Sequence, residues 1–224
     1  MSHSHSHDGS CGHEAHDHDH EHDHDSPDRG GEFTLFQFID VEHVRAYNEA
    51  VDGSAKTIFK AWDQRLDETQ VLESDADEQL ILFIPFTGSV KLKSIAVRGV
   101  GEHSPSEMKV FINREDIDFS NVDSIQAWDQ EWELIDPTVN SIGTEIPEYP
   151  TRLTKFGQVR NLTLFFPGNV SRGSEEITKI VYIGLKGEWT EINRDPIITI
   201  YELAANPADH KKIGAADENT HAIQ

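Results

Sequence analysis

Nine histidines lie between His3 and His24 of a 224-residue chain, alternating with Asp, Glu, Ser and Gly, and the sole cysteine, Cys11, falls among them. Imidazole and thiolate groups gathered this closely can ligate Zn²⁺, Ni²⁺ or Cu²⁺, with His3, His5, His7, Cys11, His13, His16, His18, His20, His22 and His24 as candidate ligands. The same stretch has almost no apolar side chains, so it is expected to be disordered and to offer no fixed coordination geometry. A solvating tail with at most weak or adventitious zinc binding is therefore the expectation, and no cofactor is called for. A second cluster, Glu73, Asp75, Asp77 and Glu78, offers hard oxygens of the kind that suit Ca²⁺. It lacks the sixth-position glycine and the closing glutamate of an EF-hand loop, which leaves a solvated acidic recognition surface as the better reading.

Catalytic patterns are missing. There is no Gly-x-Ser-x-Gly arrangement, the His-Glu-x-x-His letters at 20–24 fall within the histidine tract expected to be disordered, and His43 and His103 have no Ser, Cys or carboxylate at motif spacing. One cysteine permits neither a dithiol redox motif nor an intrachain disulfide, and it gives no sign of an oxidising compartment. The formal charge is −22, from 41 acidic against 19 basic residues, and only eight of the acids fall in the first 28 residues. Such a body repels phosphate backbones and anionic lipid, which argues against nucleic-acid or membrane binding and for a basic partner. The amino terminus lacks the basic and apolar regions of a secretory signal, and no apolar run approaches membrane-spanning length. A monomer of the cytoplasm and nucleus is expected, with the sequons at Asn161 and Asn169 unused.

The elements that must position these residues read as an all-β domain over 33–211, between a tail at 1–32 and a second tail at 212–224. Asp40 is expected to cap a short helix whose face holds Val41, Val44 and Tyr47, and Ile58, Phe59 and Trp62 form a further apolar turn. Apolar runs or alternations follow at 80–86, 90–93, 108–112, 132–135, 162–166, 177–185 and 197–201, with turn residues between most of them. Thr87-Gly88 closes the first run, and Gly187 is expected to turn the chain after Leu185. Ile177, Val181, Ile183 and Leu185 are placed on one strand face. No long amphipathic helices intervene to build parallel crossovers, so the arrangement predicted is an antiparallel sandwich of jelly-roll type.

Two segments close this pattern: 182–189, YIGLKGEW, and 201–211, YELAANPADHK. Together with 73–79 running into 80–93, and with 105–110, they resemble in content and order the PITH domain, named for its occurrence in proteasome-interacting thioredoxin-like proteins. The matching blocks bracket 36–211 and weaken across the acidic stretch 113–150. The chain resembles the family's stand-alone members, which carry a histidine-rich amino terminus and no thioredoxin domain. That resemblance implies a galactose-binding-like sandwich and a non-enzymatic module that binds the 26S proteasome, at its regulatory particle. The candidate contact residues are Glu73, Asp75, Asp77 and Glu78, Lys186 and Glu188 about Gly187, and Asn206, Pro207, Asp209 and His210 leading to a carboxyl-terminal peptide with His221. His221 is a candidate ligand for a metal belonging to the partner. The competing reading is a metal-handling or small-ligand protein, acting through the histidine tract or the loop end of the sandwich.

Overall fold

The computed structural model describes residues 31–122, 124–125, 127–139 and 145–192. Its organising element is one strand of 20 residues, β3 (Leu80–Gly99), where the sequence suggests two strands separated by a turn at Thr87-Gly88. The chain does not reverse there. Pairing of β3 with β7 (Val159–Phe166) runs from Leu80↔Phe166 to Pro85↔Asn161 and then shifts register to Val90↔Val159. Pairing with β8 (Lys179–Thr190) takes over from Ser89↔Thr190 to Gly99↔Ile180. All eight strands are hydrogen-bonded into one sheet in which β3 changes neighbours along its length, so its first half serves one layer of the sandwich and its second half the other, each called a sheet below.

The first sheet sets β1 (Arg45–Tyr47) against β3, followed by β7, β4 (Glu107–Ile112) and β5 (Gln130–Glu133). The second sets β6 (Glu148–Pro150) against β3, followed by β8 and β2 (Leu72–Glu73). Every pairing is antiparallel. Leu82, Ile84, Val110, Leu164 and Phe166 of one sheet meet Leu92, Ile95, Ile183 and Leu185 of the other in a single buried cluster.

Two β-bulges keep these side chains inward. Opposite Gly187 and Lys186, the pairing of β3 steps from Leu92 to Ser94, so Val90, Leu92, Ile95 and Val97 all reach the core despite spacings of two, three and two. Opposite Arg98 and Gly99, it steps from Tyr182 to Ile180, and the pairing skips Val181. Ile180, Ile183 and Leu185 therefore share the central core while Tyr182 joins Ala96 and Ile146 in a separate cluster, which corrects the expected face of Ile177, Val181, Ile183 and Leu185. The acidic stretch after β4 also has a structural task. Ile117 and Val122 fold back over Ile81, Phe111 and Phe165, covering residues of the first sheet outside the central core.

The expected helix at Asp40 is one 3₁₀ turn, Val41–His43, without a side-chain cap; Asp40 Oδ2 instead lies 2.9 Å from His43 Nδ1. Val44 is buried and the chain enters β1 directly. The apolar turn about Ile58 finds its partners in the central core, where Ala55, Ile58 and Phe59 are buried.

Gly187 lies within β8 and no reversal occurs there. A Cβ at this position would stand 2.2 Å from the Lys91 carbonyl oxygen and 3.2 Å from Leu35 Cδ1, so the two strands and the incoming amino-terminal segment require its absence. Gly187→Ala is expected to cost about 1–3 kcal/mol through strand displacement. Gly157→Ala, whose Cβ meets only ordinary contact at 3.5 Å, is expected to change stability by less than about 1 kcal/mol. Urea denaturation of the two variants provides the comparison, and equal losses would contradict the packing argument.

Candidate functional site

Three connections gather at one end of the sandwich, β2–β3, β3–β4 and β7–β8. The connection from β2 to β3 carries the acidic cluster predicted from sequence. Asn48, at φ +69, shapes it: its Nδ2 donates to the Asp77 carbonyl at 3.1 Å, to Asp77 Oδ1 at 2.8 Å and to the Gln79 carbonyl at 2.7 Å. Its Oδ1 accepts from the Ala76 amide at 3.0 Å, and its own carbonyl accepts from the Asp75 amide at 3.0 Å. Asparagine tolerates the left-handed conformation better than other residues bearing a side chain, which suits it to this position.

The far side of the loop is held by Thr178, whose Oγ1 donates to the Glu78 carbonyl at 2.6 Å and whose amide donates to Ser74 Oγ at 2.9 Å. Asp75, Ala76 and Asp77 remain exposed, whereas Glu73 and Glu78 are partly buried. Glu73 Oε1 is 3.1 Å from Lys179 Nζ. The loop thus presents carboxylates on a backbone tied at several points.

Beside it, Asn169 performs a similar task for the connection between β7 and β8, donating to the carbonyls of Glu175 at 2.9 Å and Ile177 at 3.2 Å. His103 Nδ1 reaches the Ile177 carbonyl at 3.0 Å, which links the β3–β4 connection to the same end.

Further round lies a cleft of about 350 Å³, lined by the end of β3 and the segment after it, by Leu134, Ile135 and Pro137 after β5, and by Glu145, Pro147 and Tyr149 leading into β6. Tyr149 closes its base: its hydroxyl accepts from the Ile135 amide at 2.9 Å, and burial pushes its phenol above the ordinary value of 10.0, so it stays protonated. Arg98 Nη2 donates to Glu68 Oε1 at 2.6 Å. The loop bearing Glu68 is anchored by buried Lys60, whose Nζ donates to the Asp67 carbonyl at 2.7 Å.

Arg98 Nη1 and Ser104 Oγ are buried without hydrogen-bond partners. An unsatisfied group of this kind costs about 1–3 kcal/mol, and both atoms are sealed from solvent. Gly99 makes the position of Ser104 possible, since a Cβ there would lie 2.6 Å from Ser104 Cα.

A family model described as PITH domain matches residues 25–205. The chain belongs to the PITH domain family. It is 43% identical over 216 residues to PITH domain-containing protein 1 of Xenopus laevis, with 94% of each chain covered. It is 39% identical over 197 residues to PITH domain-containing protein 1 of Homo sapiens, covering 87% of this chain and 88% of the relative. Among solved structures it is similar to the CBM32-3 module of a family 31 glycoside hydrolase from Clostridium perfringens, at 15% identity and a TM-score of 0.46, covering 73% of this chain and 100% of that one.

Within this PITH domain, Lys186 and Glu188 lie on strand β8, away from the acidic loop at its start. Lys186 pairs with Glu148 and sits 4.6 Å above the Trp62 ring, while Glu188 is 2.6 Å from Lys93 and 3.9 Å from Lys91. Both are engaged in cross-strand contacts of the second sheet. Asn206, Pro207, Asp209, His210 and His221, with the histidines and Cys11 between positions 3 and 24, lie outside the described residues. Arg98, Glu68, Ser104 and Tyr149 escape a sequence reading because they come from separate elements. Only Gly99 and the prolines near 105, 137 and 147 hint that irregular backbone meets there.

Two predictions follow from these contacts. Asn48→Gly keeps the left-handed backbone and removes the side-chain bonds, whereas Asn48→Ala also adds strain. Both are expected to accelerate amide exchange across 75–79, and Ala should be the less stable by about 1 kcal/mol. The hydrogen bond from Lys93, helped by the charges of Lys91 and Lys93, holds the Glu188 carboxyl below its ordinary value of 4.5. Its folded-state contribution is present above that value and is lost as pH falls through the lower folded pKa. Carboxyl-detected NMR should place the Glu188 midpoint below 4.5, and Lys93→Met should raise it; an unchanged midpoint would dismiss the pairing.

Proposed function

We propose that this PITH domain is a non-enzymatic protein-binding module that docks on the 26S proteasome through its regulatory particle, acting as a monomer in the cytoplasm and nucleus. The observation that carries the reading is the acidic loop fixed by Asn48 and Thr178, with Asp75 and Asp77 exposed. A loop already held in shape loses little conformational entropy on docking, and its charge accelerates encounter with a basic surface. The family resemblance supplies the identity of that partner. The net charge of −22 favours the same class of surface and disfavours nucleic acid.

On this reading the carboxylates set association rate and register more than total affinity, so the interaction weakens with ionic strength. Asp75→Lys is expected to leave the loop's hydrogen bonds in place, because its side chain is exposed while Asp77 Oδ1 accepts from Asn48 Nδ2, and to reduce co-purification of regulatory-particle subunits severalfold at physiological salt. Affinity purification of the tagged full chain, followed by quantification of those subunits, checks this. Recovery equal to that of the unaltered protein would remove the loop from the docking surface, and absence of those subunits with the unaltered protein would overturn the proteasome reading itself.

A further inference from the structure

We propose that the segment 1–30 docks on the body of its own chain, its aspartates and glutamates covering a basic surface built from Lys93, Arg152, Lys155 and Arg160. Between Glu148 and Glu175 the chain carries no acid, although it holds 41 in 224 residues, and Arg152, Lys155 and Arg160 fall in the first half of that stretch. All three are exposed, and no ion pair among the described residues involves them. Lys155 Nζ meets a neutral group, the Asp129 carbonyl, at 3.1 Å. The stretch is fastened beside Lys93: the Thr151 amide donates to the Lys93 carbonyl at 2.9 Å, Thr151 Oγ1 to the Leu92 carbonyl at 2.5 Å, and the Leu92 amide to the Phe156 carbonyl at 3.0 Å. Glu188 is shared between Lys93 at 2.6 Å and Lys91 at 3.9 Å, which leaves one positive charge over. Cations without partners, in a chain with more than twice as many acids as bases, call for an acidic occupant.

The chain supplies one next to the surface. Segment 1–30 holds eight acids against Arg29 alone, and it joins the described residues at Gly31, two residues before Phe33. Phe33 belongs to the same surface, since its ring centroid is 4.7 Å from Lys93 Nζ and its carbonyl accepts from the Gly187 amide at 2.8 Å. It is 61% exposed and held at φ +64, a conformation that a bulky side chain adopts only under constraint, and Leu153, 49% exposed, offers a second apolar contact on the basic stretch. The acids from Asp28 back to Glu14 lie five to nineteen residues before Phe33, coil spans of about 12–24 Å, so they reach the surface without being stretched. Tethering presents them at millimolar effective concentration, where contacts that are individually weak and salt-screened suffice. A segment held there shields the basic surface from acidic parts of other molecules, the 73–78 loop of a second copy included.

Cys11 is the sole cysteine, so a nitroxide can be attached to segment 1–30 of the unaltered full chain. In the ¹⁵N-labelled protein at low salt and about pH 7.5, where histidines are mostly uncharged, amide signals at 93 and across 152–160 are expected to lose about half their intensity or more relative to the reduced label, while those at 75–78 keep theirs. Raising NaCl to about 0.5 M should restore the lost signals, because the screening length falls to roughly 4 Å. The double variant Arg152→Glu, Arg160→Glu should restore them at low salt; neither side chain makes a hydrogen bond among the described residues, and its spectrum with the reduced label reports whether the fold is kept. No loss at 152–160, equal losses at 75–78 and 152–160, or losses that survive either the salt or the charge reversal in a folded protein would overturn the proposal. A spin-labelled chain without ¹⁵N, mixed with a ¹⁵N-labelled chain without the nitroxide, tests the other occupant: losses at 152–160 in that mixture would put the segment on a second copy and overturn docking within one chain. None of these outcomes bears on recovery of proteasome subunits.

Discussion

The constraint on which the rest depends is that one strand serves two sheets. β3 contributes Leu80, Leu82 and Ile84 to the core from one side and Val90, Leu92 and Ile95 from the other, so neither sheet can shift without moving its counterpart. A continuous backbone crossing the corner couples the layers covalently, while the buried side chains couple them by close packing. The corner is further secured by Trp189 near the end of β8, stacked on Phe38 with ring centroids 4.7 Å apart. The amino-terminal segment locks onto the same region: the Leu35 amide donates to the Leu185 carbonyl at 2.8 Å, and the Asp40 amide donates to the Pro85 carbonyl at 2.9 Å.

The loop end follows from this arrangement. Because β3 both starts and finishes there by doubling across the two sheets, the acidic loop before Leu80 and the Arg98–Ser104 segment after it are brought to one rim with the start of β8. Asn48 and Asn169 then do by side-chain amides what regular pairing cannot do in irregular backbone, satisfying carbonyls that the ladders leave over. Loops fixed in this way can carry recognition without ordering on contact.

Much of the fold was legible because its strands are written in apolar alternation and separated by turn residues, so all-β antiparallel architecture and most strand positions could be read directly. What was not legible has specific causes. Thr87-Gly88 has the composition of a turn, yet no reversal follows because both flanking runs bury residues in one core through different sheets. Gly187 likewise resembles a turn glycine, whereas its role is close strand approach to the Lys91 carbonyl. The bulges at Lys93 and Val181 shift the alternation by one residue, so strict period-two reasoning misplaces faces beyond them. In the site, the acidic cluster is contiguous and was visible; Asn48, 27 residues before Asp75, was not, and the residues of the cleft are dispersed from Glu68 to Tyr149.

The acidic loop and the cleft differ in what they can contribute to one partner. Exposed carboxylates act over roughly a Debye length, about 8 Å at physiological salt, and so govern approach and orientation. Their pairing with an exposed lysine or arginine contributes little once formed, on the order of 0–1 kcal/mol. A cleft with apolar walls acts only at contact, where desolvation strengthens each hydrogen bond that is made. On the proposed docking reading any cationic surface satisfies the loop, so discrimination between similar basic partners would have to come from contacts outside it. Asp75 and Asp77 would therefore set the rate of encounter with a cationic surface on that reading, and the duration of the complex would depend on apolar and desolvated contacts made elsewhere.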